Sequence, residues 1–233
     1  MIHDIAIDGP AASGKTVIGR LVAHRLGWWF LDTGVMYRAV TWLALERGVS
    51  PDDADALGEL VEFVQTRPVS KDGDSVEVAG RLVGPELRES RVDDSVSSVS
   101  RHPAVRRALV EQQRNYAATV SHGLNGSRAA SAGSGIVMIG RDIGTVVLPD
   151  AGLKVYLTAT PEERARRRWR EMRNQGHEIE LATVLSDIKA RDAMDSSRDD
   201  SPLRPASDAW QFDTSGLSVE EAVEVVLQQV EGC

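Results

Sequence analysis

The chain has 233 residues, 42% hydrophobic and 27% charged, with a formal net charge of −8. This length and composition suit one soluble domain with its own core and a modest insertion. The acidic balance excludes a general polyanion binder, because duplex nucleic acid rewards a positive surface. The single cysteine, Cys233, permits no intramolecular disulfide, so a reducing compartment is the natural setting. No stretch nears the ~20 apolar residues that span a bilayer. The N-terminus shows no basic segment followed by an apolar one. The expectation is a cytoplasmic monomer that binds neither membrane nor nucleic acid.

Ile2 to Asp8 turns increasingly apolar and then meets Gly9-Pro10, a strand entering a turn. From Lys15 to Leu26, Ile18, Leu21, Val22 and Leu26 share one helical face. Trp28 to Leu31 reads as a second strand, and Val35 to Glu46 as a helix. Asp53 to Val64 reads as another, with Leu57, Leu60, Val61 and Val64 in register. Between Val69 and Val83 the texture changes. Lys71-Asp72-Gly73-Asp74 and Ala79-Gly80-Arg81 are turn chemistry between short β-type runs, which predicts a small antiparallel insert over 66–102.

A long helix follows from Pro103 to Thr119, with proline in its first turn. Ser121 to Gly135, rich in Ser, Ala and Gly, reads as a loop. Ile136 to Ile139 and Leu153 to Thr158 suit buried parallel strands. Pro161 opens a basic helix, Leu181 to Asp195 gives another, and Ala209 to Phe212 reads as a last strand. Ser218 caps a final helix with Val219, Ala222, Val223, Val226, Leu227 and Val230 on one face. Strands alternating with helices predict an α/β fold with a parallel sheet covered by helices.

The strongest motif is Gly9-Pro10-Ala11-Ala12-Ser13-Gly14-Lys15-Thr16, a phosphate loop between strand and helix. Gly9 and Gly14 give the backbone angles closed to residues with a Cβ. Loop amides and the helix N-terminus then converge on a phosphate. Lys15 is expected to bridge the β- and γ-phosphates and the Thr16 hydroxyl to ligate Mg²⁺. The loop fixes nucleotide binding and leaves the reaction open.

Three further constellations carry charge toward that loop. In Asp32-Thr33-Gly34-Val35-Met36-Tyr37-Arg38, Thr33 offers a hydroxyl and Arg38 a guanidinium suited to a bidentate phosphate grip; a plain helix cap with a solvated arginine is the alternative. Gly140-Arg141-Asp142-Ile143-Gly144-Thr145 sits at the carboxyl end of a predicted parallel strand, where open α/β sheets place ligands, although a surface turn also fits. Arg164, Arg166, Arg167, Arg168, Arg170 and Arg173 crowd one helix, which costs repulsion unless an anion meets them. Arg191, Asp195 and Arg198 share a face if their helix runs on, with surface ion pairing as the plainer reading.

Taken in order, these segments resemble the bacterial cytidylate kinase family over nearly the whole chain. The resemblance implies a single phosphate-loop kinase domain, a monophosphate-binding insert at 66–102 and a short helical lid at 160–178. It implies ATP-dependent phosphorylation of CMP and dCMP with Mg²⁺. Donor binding falls to Gly9, Pro10, Ala11, Ala12, Ser13, Gly14, Lys15, Thr16 and Val17. Val17 replaces the usual Ser or Thr, so the metal contact rests on Thr16.

On the acceptor side, Thr33 falls near the sugar and phosphate. Arg38, Arg141 and Arg198 fall on the phosphate, and Arg191 and Asp195 on the sugar. Ser97, Arg106 and Asp142 fall on the cytosine edge. Lys15, Arg141 and the lid residue Arg164 would carry the catalytic charge. A cytosine reader needs a donor for O2 and N3 and an acceptor for the exocyclic amine, and Arg106 and Asp142 are of those types.

Overall fold

The structure is a computed structural model that describes residues 2–65, 76–121 and 135–232. The first half of the chain forms β1 (Asp4–Asp8), α1 (Lys15–Leu26), β2 (Trp29–Asp32), α2 (Thr33–Glu46), α3 (Ala54–Leu60), β3 (Val64–Gln65), β4 (Val76–Val78), β5 (Arg81–Val83) and α4 (Ser90–Val99). The second half forms α5 (Pro103–Ser121), β6 (Ile136–Gly140), β7 (Leu153–Thr158), α6 (Pro161–Asn174), α7 (Leu181–Ser196), β8 (Trp210–Asp213) and α8 (Val219–Glu231).

Five strands make one parallel sheet in the order β2-β6-β1-β7-β8. Side chains alternate across a strand, so each central strand feeds two cores. Ile5 and Ile7 of β1, with Val137 and Ile139 of β6, pack beneath α1 and α8. Ala6, Ile136 and Met138 point the other way, into a larger core shared with α2, α5 and the small sheet. All these strand residues are essentially inaccessible. Near-continuous apolar strands are what a sheet covered on both faces requires.

The second sheet, β3-β4-β5, is antiparallel, and Ala79-Gly80 forms the turn between β4 and β5, with φ of 49° and 81°. This agrees with the insert expected there. The expected turn at Lys71–Asp74, the Ser121–Gly135 loop apart from its two end residues, and Cys233 lie outside the described residues.

Three local readings needed correction. The helix expected over Asp53–Val64 stops at Leu60, and Val64 joins a strand by pairing with Val78. Its apolar register continued, but pairing with a neighbouring strand won over local periodicity. A helix at Ser90–Val99 was not foreseen, although Val92, Val96 and Val99 at spacings of four and three are its buried face. The Arg191 helix ends at Ser196, so Arg198 is delivered by the following turn. Among the described residues no helix is long and apolar enough to cross a membrane.

Candidate active site

The phosphate loop joins the end of β1 to the start of α1, at the carboxyl edge of the sheet. Gly9 adopts φ 152°, and a Cβ there would fall 2.0 Å from the Leu157 carbonyl oxygen, so only glycine fits. Gly14 caps α1 in the left-handed region. Lys15 is buried and donates from Nζ to the Pro10 carbonyl at 2.6 Å and to Ser13 Oγ at 3.3 Å. Burial, followed by the field of Arg141, presses its pKa well below the usual lysine value. Thr16 Oγ1 donates to Asp32 Oδ2 at 3.0 Å, while Asp32 Oδ1 caps α2 by accepting from the Gly34 amide at 2.9 Å.

A cleft of about 830 Å³ opens over this loop. Its walls include Ala11, Ala12, Ser13, Gly14, Lys15, Thr16 and Val17 on the donor side. Gly9 and Pro10, also expected to contact the donor, lie behind this wall and shape it. The same cleft is lined by Thr33, Arg38, Arg106, Arg141, Asp142, Arg191, Asp195 and Arg198. Residues up to 165 positions apart in the chain (33 and 198) thus share one cavity with the phosphate loop.

The opposite wall of the cleft is an ordered charge network. Asp195, on α7, accepts from Arg141 Nε at 2.9 Å and pairs with Arg198 through its other oxygen. Burial would raise its pKa, but Arg141 and Arg198 outweigh that and hold it below the usual carboxylate range. Arg191 is held down to about 10 by burial and then by Arg141, and its Nε has no hydrogen-bond partner. The buried Arg198 Nε is unpartnered too. Arg106 and Asp142 form a buried ion pair at 2.5 Å, with the Arg106 guanidinium 5.4 Å above the Tyr37 ring. Burial pushes the Tyr37 phenol up to about 12. Thr33 spends its hydroxyl proton on the Ile139 carbonyl at 2.8 Å, and Gly140 allows this approach, since a Cβ there would lie 2.6 Å from Thr33 Oγ1.

Besides Gly9 and Pro10, two expected residues do not line the cleft. Ser97 does not line the cleft; its carbonyl accepts from Ser100 Oγ at 3.2 Å, and Ser100 lines the cleft. Ser97 lies within α4, whereas Ser100 follows the end of that helix at Val99. Arg164 is buried, not poised in the cleft. It donates to the Ala11 carbonyl at 3.1 Å and pairs with Asp192 at 2.7 Å, bracing the phosphate loop against α7. Its neighbours Arg167 and Arg168 line the cleft instead. Trp169 packs with Ala165, Val184 and Ile188 and donates from Nε1 to the Ile179 carbonyl at 2.9 Å.

Sequence reasoning missed Asp8. Buried at the end of β1, it accepts from the amides of Ile143 and Gly144, both at 2.7 Å. One carboxylate therefore fixes the turn carrying Arg141 and Asp142 to the residue that enters the phosphate loop. That turn closes through i to i+5 bonds, Val147 to Asp142 and Leu148 to Ile143. A carboxylate closing the apolar run Ile5–Ile7 was the available signal.

The chain matches the family model described as Cytidylate kinase over residues 5–232. It is 42% identical over 226 residues to a cytidylate kinase of Caldanaerobacter subterraneus subsp. tengcongensis, covering 97% of this chain and 93% of that protein. It is 41% identical over 228 residues to a cytidylate kinase of Bacillus velezensis, and 40% identical over 228 residues to that of Bacillus subtilis. Each of those matches covers 97% of this chain and 96% of the relative. Phosphate loop and sequence agree, and the chain belongs to the cytidylate kinase family.

Proposed function

We propose that this protein transfers the terminal phosphoryl group of ATP to CMP and dCMP, giving CDP and dCDP. One observation carries the reading: a phosphate loop and a set of arginines, among them Arg106, Arg191 and Arg198 with unpartnered Nε atoms, face the same cleft. Buried cations held together in this way need an anion, and the α-phosphate of a nucleoside monophosphate supplies it.

Lys15 exchanges the Pro10 carbonyl for phosphate oxygens and tracks the charge that develops on the transferred group. Arg141, held in direction by Asp195, lies between the two nucleotides, and its effect on the pKa of Lys15 marks the two as near neighbours. Arg38, Arg141 and Arg198 hold the acceptor phosphate, with Arg191 and Asp195 near the sugar. Arg106 donates to the cytosine ring and Asp142 accepts from its exocyclic amine. A phosphate acceptor is already ionised, so transfer runs in line without a strong base.

Mg²⁺ with ATP fits the donor set. Thr16 and Asp32 stand 3.0 Å apart, and among the described residues no group of three or more His, Cys, Asp or Glu could cage an ion. Mg²⁺ takes most of its ligands from phosphates and water, so one hydroxyl backed by one carboxylate suits it. When bound it neutralises the β- and γ-phosphate oxygens. Segments 66–102 and 160–178 act as acceptor insert and lid, closing the cleft against water. Thr33 and Ser100 complete the wall.

An acceptor panel of CMP, dCMP, UMP and AMP, read as ADP production, tests the reading. CMP and dCMP are expected to give the highest kcat/KM. Equal turnover with UMP or AMP, or no stimulation by any acceptor, overturns it.

A further inference from the structure

Asp93 occupies a place that the mechanism above leaves without a role. It stands in the first turn of α4 and lines the cleft. One oxygen lies 2.5 Å from Arg38 Nη2 on α2, and the other 2.8 Å from Arg168 Nη2 on α6. Arg38 and Arg168 line the cleft as well. A single carboxylate therefore ties the acceptor wall, the helix beside the small sheet and the arginine helix together.

We propose that Asp93 is the displaceable counter-ion of the acceptor site, neutralising Arg38 and Arg168 until the acceptor phosphate replaces it. The inference rests on the acceptor reading given above. Three observations carry it. The Asp93 side chain keeps 23% of its surface accessible, Arg38 23% and Arg168 30%, so the cluster is open to an incoming anion. The Arg38 contact is charge against charge, since Asp93 Oδ1 accepts no aligned hydrogen bond. Arg38 has a second anchor, donating from Nη1 to the Leu87 carbonyl at 2.9 Å, so it stays in place when the carboxylate leaves.

A phosphate brings more negative charge than a carboxylate and three strong acceptor oxygens, which is enough to win both guanidiniums. While it stays, Asp93 keeps the two cations from repelling each other and preserves their orientation. It does so at the cost of some acceptor affinity. Its role is positioning rather than catalytic.

The test compares the wild type with Asp93→Asn and Asp93→Glu by calorimetric titration with CMP and, separately, with cytidine. If the carboxylate competes with phosphate, Asp93→Asn binds CMP about three- to tenfold more tightly, a gain of the size of a half-exposed ion pair. Cytidine, lacking the phosphate, is bound equally by both proteins. Asp93→Glu returns CMP affinity toward wild type. Unchanged or weaker CMP binding by a folded Asp93→Asn overturns the proposal and leaves the acceptor reading standing. A gain that appears equally with cytidine overturns it too, because it then reflects shape and not charge. No CMP binding by the wild type removes the acceptor reading and this proposal together.

Discussion

Arg106 Nη2 and Asp142 Oδ2 lie 2.5 Å apart, and both side chains are buried in the wall of the cleft. The pair joins α5 to the turn after β6. On the proposed reading it presents donor and acceptor side by side, the pattern that separates cytosine from uracil. Asp142→Asn retains the shape but turns half the acceptor into a donor. The ratio of kcat/KM for CMP over UMP is expected to fall roughly 10- to 100-fold, the effect of an unpaired buried polar group of ~1–3 kcal/mol. Steady-state kinetics with both acceptors gives the answer.

Lys15 is buried beside Arg141, and among the described residues no other lysine lines the cleft. Lys15→Met removes a cation from the transferred phosphoryl group while preserving volume. The expected loss in kcat is roughly 10²- to 10³-fold, typical for deleting one oriented electrostatic contact. Thermal denaturation should show an intact fold, because a cation whose pKa is depressed by burial contributes little to stability.

Arg191 is a partly desolvated cation with an unpartnered Nε. Arg191→Gln is expected to raise KM for CMP by roughly 10- to 100-fold, since hydrogen bonds to charged groups are worth ~1.5–3 kcal/mol. KM for ATP should change less than threefold (roughly 0.6 kcal/mol) because the donor loop is not touched. Varying each substrate at saturating levels of the other separates the two.

The Arg164–Asp192 pair braces the phosphate loop against α7. Arg164 is buried and also donates to the Ala11 and Ala159 carbonyls. Arg164→Ala leaves those carbonyls and Asp192 without their partner, with an expected destabilisation of about 3 kcal/mol. Urea denaturation measures it. KM for ATP should rise along with it, as the brace on the phosphate loop is lost.

Asp8 gives a pH dependence. Burial, the largest cause, lifts its pKa from 3.8 to about 6 in the folded protein, against the pull of the Gly144 and Ile143 amides. Between these two values the folded state holds a proton that the unfolded state has released. Stability from this group is therefore complete below pH 3.8 and falls as pH rises toward 6, by about 3 kcal/mol in all. Asp8→Asn should lack this decline. Urea midpoints at pH 4.5, 5.5 and 6.5 for both proteins test the difference in slope.

Much of the architecture was legible in the chain because its periodicities agree with its packing. The predicted helix from Lys15 to Leu26 and the predicted strand from Leu153 to Thr158 have the observed limits. Ser218 caps α8 with the full reciprocal pairing to Glu221. The phosphate loop was legible because its backbone needs glycine at Gly9, a constraint that leaves a mark on sequence. Ser97 and Arg164 were misplaced for a different reason: their positions depend on helix rotation and on partners far away in the chain.

Sequence by itself determined the α/β alternation, the phosphate loop and the identity of the charged residues, since each reflects local backbone geometry or composition. Only the tertiary structure decided how those charges pair. Asp195 could have sat on the surface, yet it orients Arg141 and steadies Arg198. Asp8 and Asp93 gave no local signal of their partners on distant segments. Charge interactions depend on distance and burial, and a linear chain encodes neither until the sheet brings its ends together.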